Sequence, residues 1–309
     1  MPKTADAVLR RRLSQSRIRA AAGFCSLAIA GVQAAGCGNA SRLLVLTQEV
    51  EARGLASNLH VQFSKTADAS NRAVMEVTDE ASIAAAREAG QAAQSAERDA
   101  EMLQRILQAL AYREEIRHLD AFRACFARYR ALDADILPLA VENTNIKAQR
   151  LAFGPAQEAA DAFRQSLEAA GRSIPPRSAC CVEALIARAS AAVLEVLVIQ
   201  ARHIAESDES TMSRMEGQMA ASEAAARAGL DTLKALLPPA AGAQLAAAAD
   251  ALDRLKVTDA EIVTLSRRNS NVRSLALSLG RKRTVTAECD ANLLALEEAL
   301  MKHDFTATR

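Results

Sequence analysis

The segment 133–154 reads DADILPLAVENTNIKAQRLAFG, and the segment 259–280 reads DAEIVTLSRRNSNVRSLALSLG. Eight of the 22 aligned positions are identical, and most others are conservative, such as Thr144 against Ser270. The two segments lie 126 residues apart. Self-similarity at this spacing indicates a duplicated unit of more than 100 residues, long enough for a pair of long helices.

A weaker echo lies upstream of each copy. The segment 78–82 reads TDEAS and the segment 207–211 reads SDEST, an offset of 129 residues. The two offsets differ by three, so the sequence predicts a three-residue insertion between the two signals of one repeat.

Composition favours an all-α fold. Half of the 309 residues are hydrophobic, aromatic residues make up 3% and Trp is absent. Such Ala/Glu/Arg/Leu-rich chains are typical of long helices. Breaks at Ala111, at Gly171 to Pro176 and at Pro238-Pro239 predict four helices, at about 40–110, 115–170, 178–236 and 240–303. They would form an elongated antiparallel four-helix bundle over 38–305, made of one hairpin at 38–172 and a second at 177–305.

Apolar spacing places asparagines on the predicted helix seam. Ile262, Leu265, Asn269, Val272, Ala276 and Leu279 step by three and four residues, as an a/d seam does. Asn143 holds the matching place in the first repeat. One hypothesis is structural: a seam amide fixes register at a cost in stability, so leucine in its place should stabilise the bundle. The other hypothesis is a polar ligand pocket. Equivalent Gly154 and Gly280 predict a bend at one height on both helices.

The N-terminus has the pattern of an export segment. Six basic residues in 3–19 precede an apolar stretch that ends in Ala34-Ala35-Gly36-Cys37. The stretch of about 16 residues is shorter than the ~20 that a spanning helix needs. We therefore predict that 1–37 is a signal or membrane anchor and that Cys37 is a candidate for lipidation, with the rest of the chain in the periplasm.

The other cysteines show no metal-binding spacing. Cys125 and Cys289 lie in apolar helical surroundings and are predicted to be buried small hydrophobes. Cys180 and Cys181 are adjacent and follow a loop, so they could pair with another chain or remain free.

Several function classes lack their motifs. The sequence has no phosphate-binding glycine loop, no nucleophile elbow and no paired catalytic carboxylates. A single Glu-x-x-His, Glu115 to His118, falls short of the set that a di-iron bundle uses. The net charge of +1 gives no field for nucleic acid. We predict no enzyme activity, no metal, no cofactor and no nucleic-acid partner.

Segments 142–148 and 265–275, together with 203–209, resemble the four-helix-bundle sensory domain of bacterial methyl-accepting chemotaxis receptors. The resemblance covers about 40–305 and implies an extracytoplasmic, ligand-sensing homodimer without enzymatic activity. No second membrane segment and no signalling hairpin follow residue 305, so a separate signalling membrane protein would have to relay the signal.

If the bundle senses a ligand, as the resemblance implies, the polar residues place a small anion between the second and fourth helices. Amides would bind it and cationic side chains would clamp a carboxylate. The candidate binding residues are Asn143, Asn145, Lys147, Arg150, Asn269, Asn271 and Arg273. The alternative function is a structural or adaptor bundle of the cell envelope with no ligand.

Overall fold

The computed structural model describes residues 34–172 and 179–303, with side chains from residue 43 onward. Every regular element in these ranges is helical, which confirms the all-α class. None of the helices described there combines the length and apolarity needed to cross a membrane. Residues 1–33 of the predicted export segment and the side chain of Cys37 lie outside the described part. Contacts separate residues up to Thr47 from a compact unit that begins at Gln48, and the packing below belongs to that unit.

The two repeats contain the same series of elements. In the first, α1 is Ala34–Met75, α2 Asp79–Leu110, α3 Arg113–Glu142, α4 Thr144–Leu151 and α5 Gln157–Gly171, with a π turn at Ala152–Ala156. In the second, α6 is Ala179–Ala205, α7 Glu209–Leu236, α8 Gly242–Arg268, α9 Ser270–Leu277 and α10 Arg283–Lys302, with a 3-10 turn at Pro239–Ala241 and a π turn at Ser278–Lys282.

The expectation of four helices is wrong, because the first predicted helix of each repeat, 40–110 or 178–236, is divided into two helices that form a hairpin. Residues 76–78 separate α1 from α2, and residues 206–208 separate α6 from α7. The side chains of Thr78 and Asp208 cap α2 and α7 by accepting from the backbone N–H groups of Ala81 and Thr211. The predicted breaks near Ala111 and Pro238-Pro239 are confirmed.

Each repeat supplies its last helix to the core of the other repeat. Side chains such as Phe63 of α1, Leu103 of α2, Phe122 of α3 and Leu293 of α10 form one core. The other core contains Phe163 of α5, Ile186 of α6, Leu230 of α7 and Leu252 of α8. Four helical segments thus surround each core, three from one repeat and one from the other.

The pattern of buried positions gives a clearer alignment of the two repeats than amino-acid identity does. In the hairpins α1–α2 and α6–α7, buried positions such as Leu59 and Ala189 recur at a spacing of 130 residues. The N-cap residues Thr78 and Asp208 have the same spacing. We call the helices that follow each hairpin, α3–α5 and α8–α10, the return segments. In these segments, buried positions such as Ile136 and Ile262 recur at a spacing of 126 residues. The offset of 129 predicted for the hairpins is therefore wrong by one residue, and the first repeat is four residues longer near its second turn.

The predicted seam ends at the asparagines. Asn143 and Asn269 adopt left-handed backbone angles, with φ of 50° and 53°. A left-handed residue turns the following helix about its axis, and so Ala276 and Leu279 face solvent while Ser274 and Ser278 are buried. The expected irregularity at Gly154 and Gly280 is present in both repeats as a π turn.

Cys125 and Cys289 are fully buried, as predicted, and they form a disulfide that the sequence did not predict. Their Cα atoms are 5.6 Å apart although 164 residues separate them in sequence. The bond joins α3 of the first repeat to α10 of the second. It therefore fastens a helix of one repeat inside the core of the other.

Candidate functional site

The predicted amides meet at one level, where the two return segments cross. Asn143 lies between α3 and α4, and Asn269 lies between α8 and α9. Asparagine is one of the few residues that tolerate a left-handed backbone, which is why helix can stop and restart at these two positions. Neither asparagine caps the following helix with its own side chain.

Helices α4 and α9 instead cap each other at their first residue. The backbone N–H of Thr144 donates to Ser270 Oγ at 3.1 Å, and the backbone N–H of Ser270 donates to Thr144 Oγ1 at 3.0 Å. The first N–H groups of a helix lack an intrahelical acceptor, and a buried one left unpaired is costly. Each repeat therefore satisfies the helix start of the other.

The second residue of each helix repeats this exchange. The backbone N–H of Asn145 donates to Asn271 Oδ1, and that of Asn271 donates to Asn145 Oδ1, both at 3.1 Å. Four reciprocal bonds thus join two helix N-termini about a local two-fold relation. We call the six residues 143–145 and 269–271 the amide crossing.

The amide nitrogens of the crossing are also paired within the protein. Asn145 Nδ2 donates to Asn269 Oδ1 at 2.8 Å and to the carbonyl of Ile204 at 2.6 Å. Asn271 Nδ2 donates to Asn143 Oδ1 at 2.9 Å. Every amide oxygen in the crossing accepts at least one of these bonds.

The two left-handed asparagines connect the crossing to the hairpin turns. Asn269 Nδ2 donates to the carbonyl of Glu206 at 2.7 Å. Asn143 Nδ2 donates to Ser82 Oγ at 3.0 Å and to Asp79 Oδ1 at 3.2 Å, both in the first turn of α2. The crossing therefore fixes the return segments to each other and each hairpin to its own return segment.

The predicted cationic residues surround the crossing without forming a clamp. Lys147 Nζ pairs with Asp79 at 3.1 Å and donates to the carbonyl of Glu142, and Arg150 donates to the carbonyl of Val77. Arg273 is exposed. Arg150 matches the predicted seam residue Ala276 of the second repeat, but the turn at Asn143 places it at the surface.

Two acids beside the crossing are held in their ionised forms. The bond from Lys147 lowers the pKa of Asp79 below its ordinary value. Two nitrogens of Arg268 donate to the two oxygens of Glu142, each at 2.6 Å, and they lower the pKa of that carboxyl. Glu142 and Arg268 occupy equivalent positions of the two repeats, so this pair also joins one repeat to the other.

The crossing can hold structure, and each of its four side-chain amides already hydrogen-bonds within the protein. Asn143, Asn145 and Asn269 are each at most 6% exposed, and their hydrogen bonds are made within the protein. A ligand would have to replace bonds that the fold already makes. Sequence reasoning brought the right amides together, and the structure gives them protein partners.

The structure contains a buried ion pair, between Lys282 and Asp133, that the sequence did not predict. Lys282 is 1% exposed, and its Nζ lies 2.6 Å from Asp133 Oδ1 and 4.9 Å from the centre of the Tyr129 ring. Ser70 of α1 donates to the same Asp133 oxygen at 2.7 Å and contacts Lys282. Burial lowers the pKa of Lys282, while Asp133 opposes that shift. In the sequence, Lys282 stands between two arginines and reads only as part of a basic cluster.

No described residue supplies the equivalent acid of the second repeat with a cation of this kind. Asp259, which matches Asp133, accepts from Gln200 Nε2 at 2.7 Å. Burial raises the pKa of Asp259. Nearby, His203 is fully buried and contacts Glu216 at 2.9 Å, and Arg267 also binds Glu216. Repeat identity marked both aspartates, but only the fold shows their burial.

The described surface also contains an open groove next to the Lys282–Asp133 ion pair. It has a volume of about 460 Å³, and its lining includes Asn71, Leu275, Leu279, Lys282, Arg283 and Asp290. The groove lies along the π turn that precedes α10.

Comparison with known proteins gives no relative: no family model, no curated protein and no solved structure matches this chain.

Proposed function

We propose that this protein is an extracytoplasmic helical scaffold or adaptor without enzymatic activity, in which two repeats are joined into one rigid body. The observation that carries this proposal is the amide crossing. Its buried amides are hydrogen-bonded to each other, to helix N-termini and to hairpin turns. A buried hydrogen-bonded network of this kind favours one arrangement of the chain.

Two features support the extracytoplasmic placement. The sequence begins with a basic and then an apolar segment, as exported proteins do. The buried Cys125–Cys289 disulfide fits an oxidising compartment, where such bonds persist. Fractionation of cells that express the full chain, with a labelled fatty acid, tests this placement: we expect an envelope protein, labelled at Cys37 and unlabelled after Cys37→Ser.

Thermal unfolding in the presence of candidate ligands tests the scaffold proposal itself. We expect no change in melting temperature across small carboxylates, amino acids and aromatic acids, because the amides of the crossing already bond to protein partners. Saturable stabilisation by one compound, lost in the Asn145→Ala variant, would contradict the proposal. Asn58→Ala, which removes a hydrogen bond to Asp99 outside the crossing, is the control for general loss of stability.

A second candidate function is a chemoreceptor-like sensor that acts as a homodimer through a separate signalling membrane protein. The observation that favours it is the groove beside Lys282 and Arg283, which could take a small anion. Such a ligand changes the conformation only through different affinities for two arrangements of the helices.

Calorimetric titration with the same panel of compounds distinguishes the sensor from the scaffold. A sensor should bind one anion, and Arg283→Ala should abolish the heat. Arg281→Ala is a matched control, because Arg281 lines a different groove. Absence of heat with every compound supports the scaffold.

A further inference from the structure

Helix α6 carries an apolar stripe that no described residue covers. Eight small or apolar residues step alternately by four and three, which places them along one face of the helix. All eight are exposed: Cys180, Ala184, Ala187, Ala191, Leu194, Val198, Ala201 and Ala205. Leu194 and Val198 are 49% and 62% exposed. We call these eight residues the α6 stripe.

The first repeat shows that the fold does not require this stripe. The equivalent exposed positions of α1, each 130 residues earlier, are Val50, Gly54, Ser57, Val61, Ser64, Asp68, Asn71 and Met75. Ser64 and Asp68 stand where the second repeat has Leu194 and Val198. One copy of the unit thus presents a solvated face and the other an uninterrupted apolar one, which points to an interaction surface on α6.

We propose that a second copy of this chain packs on the α6 stripe, with the two helices antiparallel about a two-fold axis. In this register Leu194 faces Ala191 of the other copy, and Val198 faces Ala187. In these central layers a large residue meets a small one, while Ala184 faces Ala201 and Cys180 faces Ala205 nearer the ends. A parallel pair would stack Leu194 on itself beside layers of alanine on alanine, which need a shorter separation.

The charges beside the stripe fit the same register. Arg188 and Glu195 flank the stripe on one side and are both exposed. In the antiparallel pair, Arg188 of each copy lies near Glu195 of the other, so two opposite-charge contacts form. Arg188 has no ion pair with a described residue, and Glu195 accepts one bond from Ser222, which leaves acceptor capacity.

The size of the contact sets its strength. The stripe extends over 25 residue steps, or about 38 Å, and a helix is about 10 Å wide, so each copy buries on the order of 400 Å². Stable interfaces bury about 800 Å² on each partner. We therefore expect a reversible dimer that depends on protein concentration. The proposal does not depend on the scaffold function, because the stripe contains none of the six residues of the amide crossing.

Sedimentation of the full chain under reducing conditions tests the surface. We expect a monomer–dimer equilibrium that Leu194→Glu weakens by roughly tenfold or more, since it places a charge in an apolar seam. The matched control is Ser64→Glu at the equivalent exposed position of α1, which should leave association unchanged. A monomer at all concentrations, or equal effects of the two variants, would overturn the proposal.

Disulfide trapping tests the orientation, in a Cys181→Ser background. Adding Ala205→Cys places a thiol opposite Cys180 of the other copy. Oxidised glutathione should then give a covalent dimer: each pair of thiols loses two protons and two electrons as one interchain disulfide forms, and one glutathione disulfide becomes two thiols. Without Ala205→Cys, little covalent dimer should form. Efficient trapping through Cys180 alone would show a parallel pair, and no trapping in either variant would show that the stripe has another occupant. Both results would overturn the antiparallel dimer.

Discussion

Asn269 combines two tasks that few residues can perform together. Its left-handed backbone ends α8, and its side chain links Asn145 to the carbonyl of Glu206. The left-handed backbone of Asn269 argues against leucine as a stabilising substitution at this site. A side chain with a Cβ and no local hydrogen bond is strained at positive φ, by about 1–2 kcal/mol.

The first prediction separates the two tasks of Asn269. Asn269→Gly should lose about 1–3 kcal/mol of unfolding free energy because buried partners become unpaired. Asn269→Ala should lose about 1–2 kcal/mol more, since it adds backbone strain. Urea unfolding of both variants measures the difference. Equal stability of the glycine and alanine variants would contradict the account.

The buried ion pair gives the second prediction. Asp133→Asn leaves Lys282 buried without a negative partner, which should cost about 3–5 kcal/mol at neutral pH. Since burial lowers the pKa of Lys282, the loss should shrink as pH rises and the amine becomes neutral. Denaturant unfolding at several pH values measures this. A loss that grows with pH would show that Lys282 is not the group left unpaired.

The equivalent acid gives a prediction of opposite sign. Burial raises the pKa of Asp259, so the folded state holds this proton at a pH where the unfolded chain has lost it. Stability from this group is therefore lost as pH rises through the folded pKa. Asp259→Asn should raise the melting temperature at neutral pH, and the gain should vanish in acid. Asp253→Asn, on the exposed side of α8, is the control.

At the scale of residues, the sequence predicts which positions matter better than what they do. Repeat identity selects Asn143, Asn145, Asn269 and Asn271, and all four meet at the crossing. The hydrogen bonds that they make could not be predicted, because these depend on a left-handed backbone and on contacts 126 residues away. Lys282 was missed for a related reason, since its burial follows from the π turn and not from local composition.

At the scale of elements, helix periodicity predicts the class but not the breaks. The a/d spacing through Asn269 continues into residues that are exposed in the structure, such as Leu279. Hydrophobic periodicity contains no signal for a residue with left-handed backbone angles, so it could not predict this change. Proline pairs marked the turn before α8, whereas the hairpin turns at 76–78 and 206–208 contain neither Gly nor Pro. Thr78 and Asp208 are the signals for these turns, as N-cap residues that precede acidic first turns.

The exchanged helix α10 depends on its disulfide. Removal of the bond by Cys289→Ser should cost about 2–5 kcal/mol, because the bond closes a long loop of the unfolded chain. Cys181→Ser, at an exposed free cysteine, should have little effect. Guanidine unfolding with and without reductant measures both. Equal stability of wild type and the Cys289 variant under oxidising conditions would show that the bond does not form in solution.

For the whole molecule, the account depends on how the duplication folds. Two complete copies could pack as two independent bundles, but the cores show that each copy supplies one helix to the other. The amide crossing lies where the return segments exchange, and its reciprocal caps satisfy both helix starts at once. Sequence similarity reveals the duplication, yet it does not distinguish separate copies from exchanged ones, because the same residues are buried in both cases.

Disulfide mapping tests that exchange most directly. After equilibration in a glutathione redox buffer, the protein is alkylated, digested with trypsin without reduction and analysed by mass spectrometry. The account predicts a linked pair made of peptides 124–128 and 284–302, which contain Cys125 and Cys289, with Cys180 and Cys181 outside that link. Recovery of Cys289 linked to peptide 178–188, or of Cys125 and Cys289 as alkylated free thiols, would contradict it.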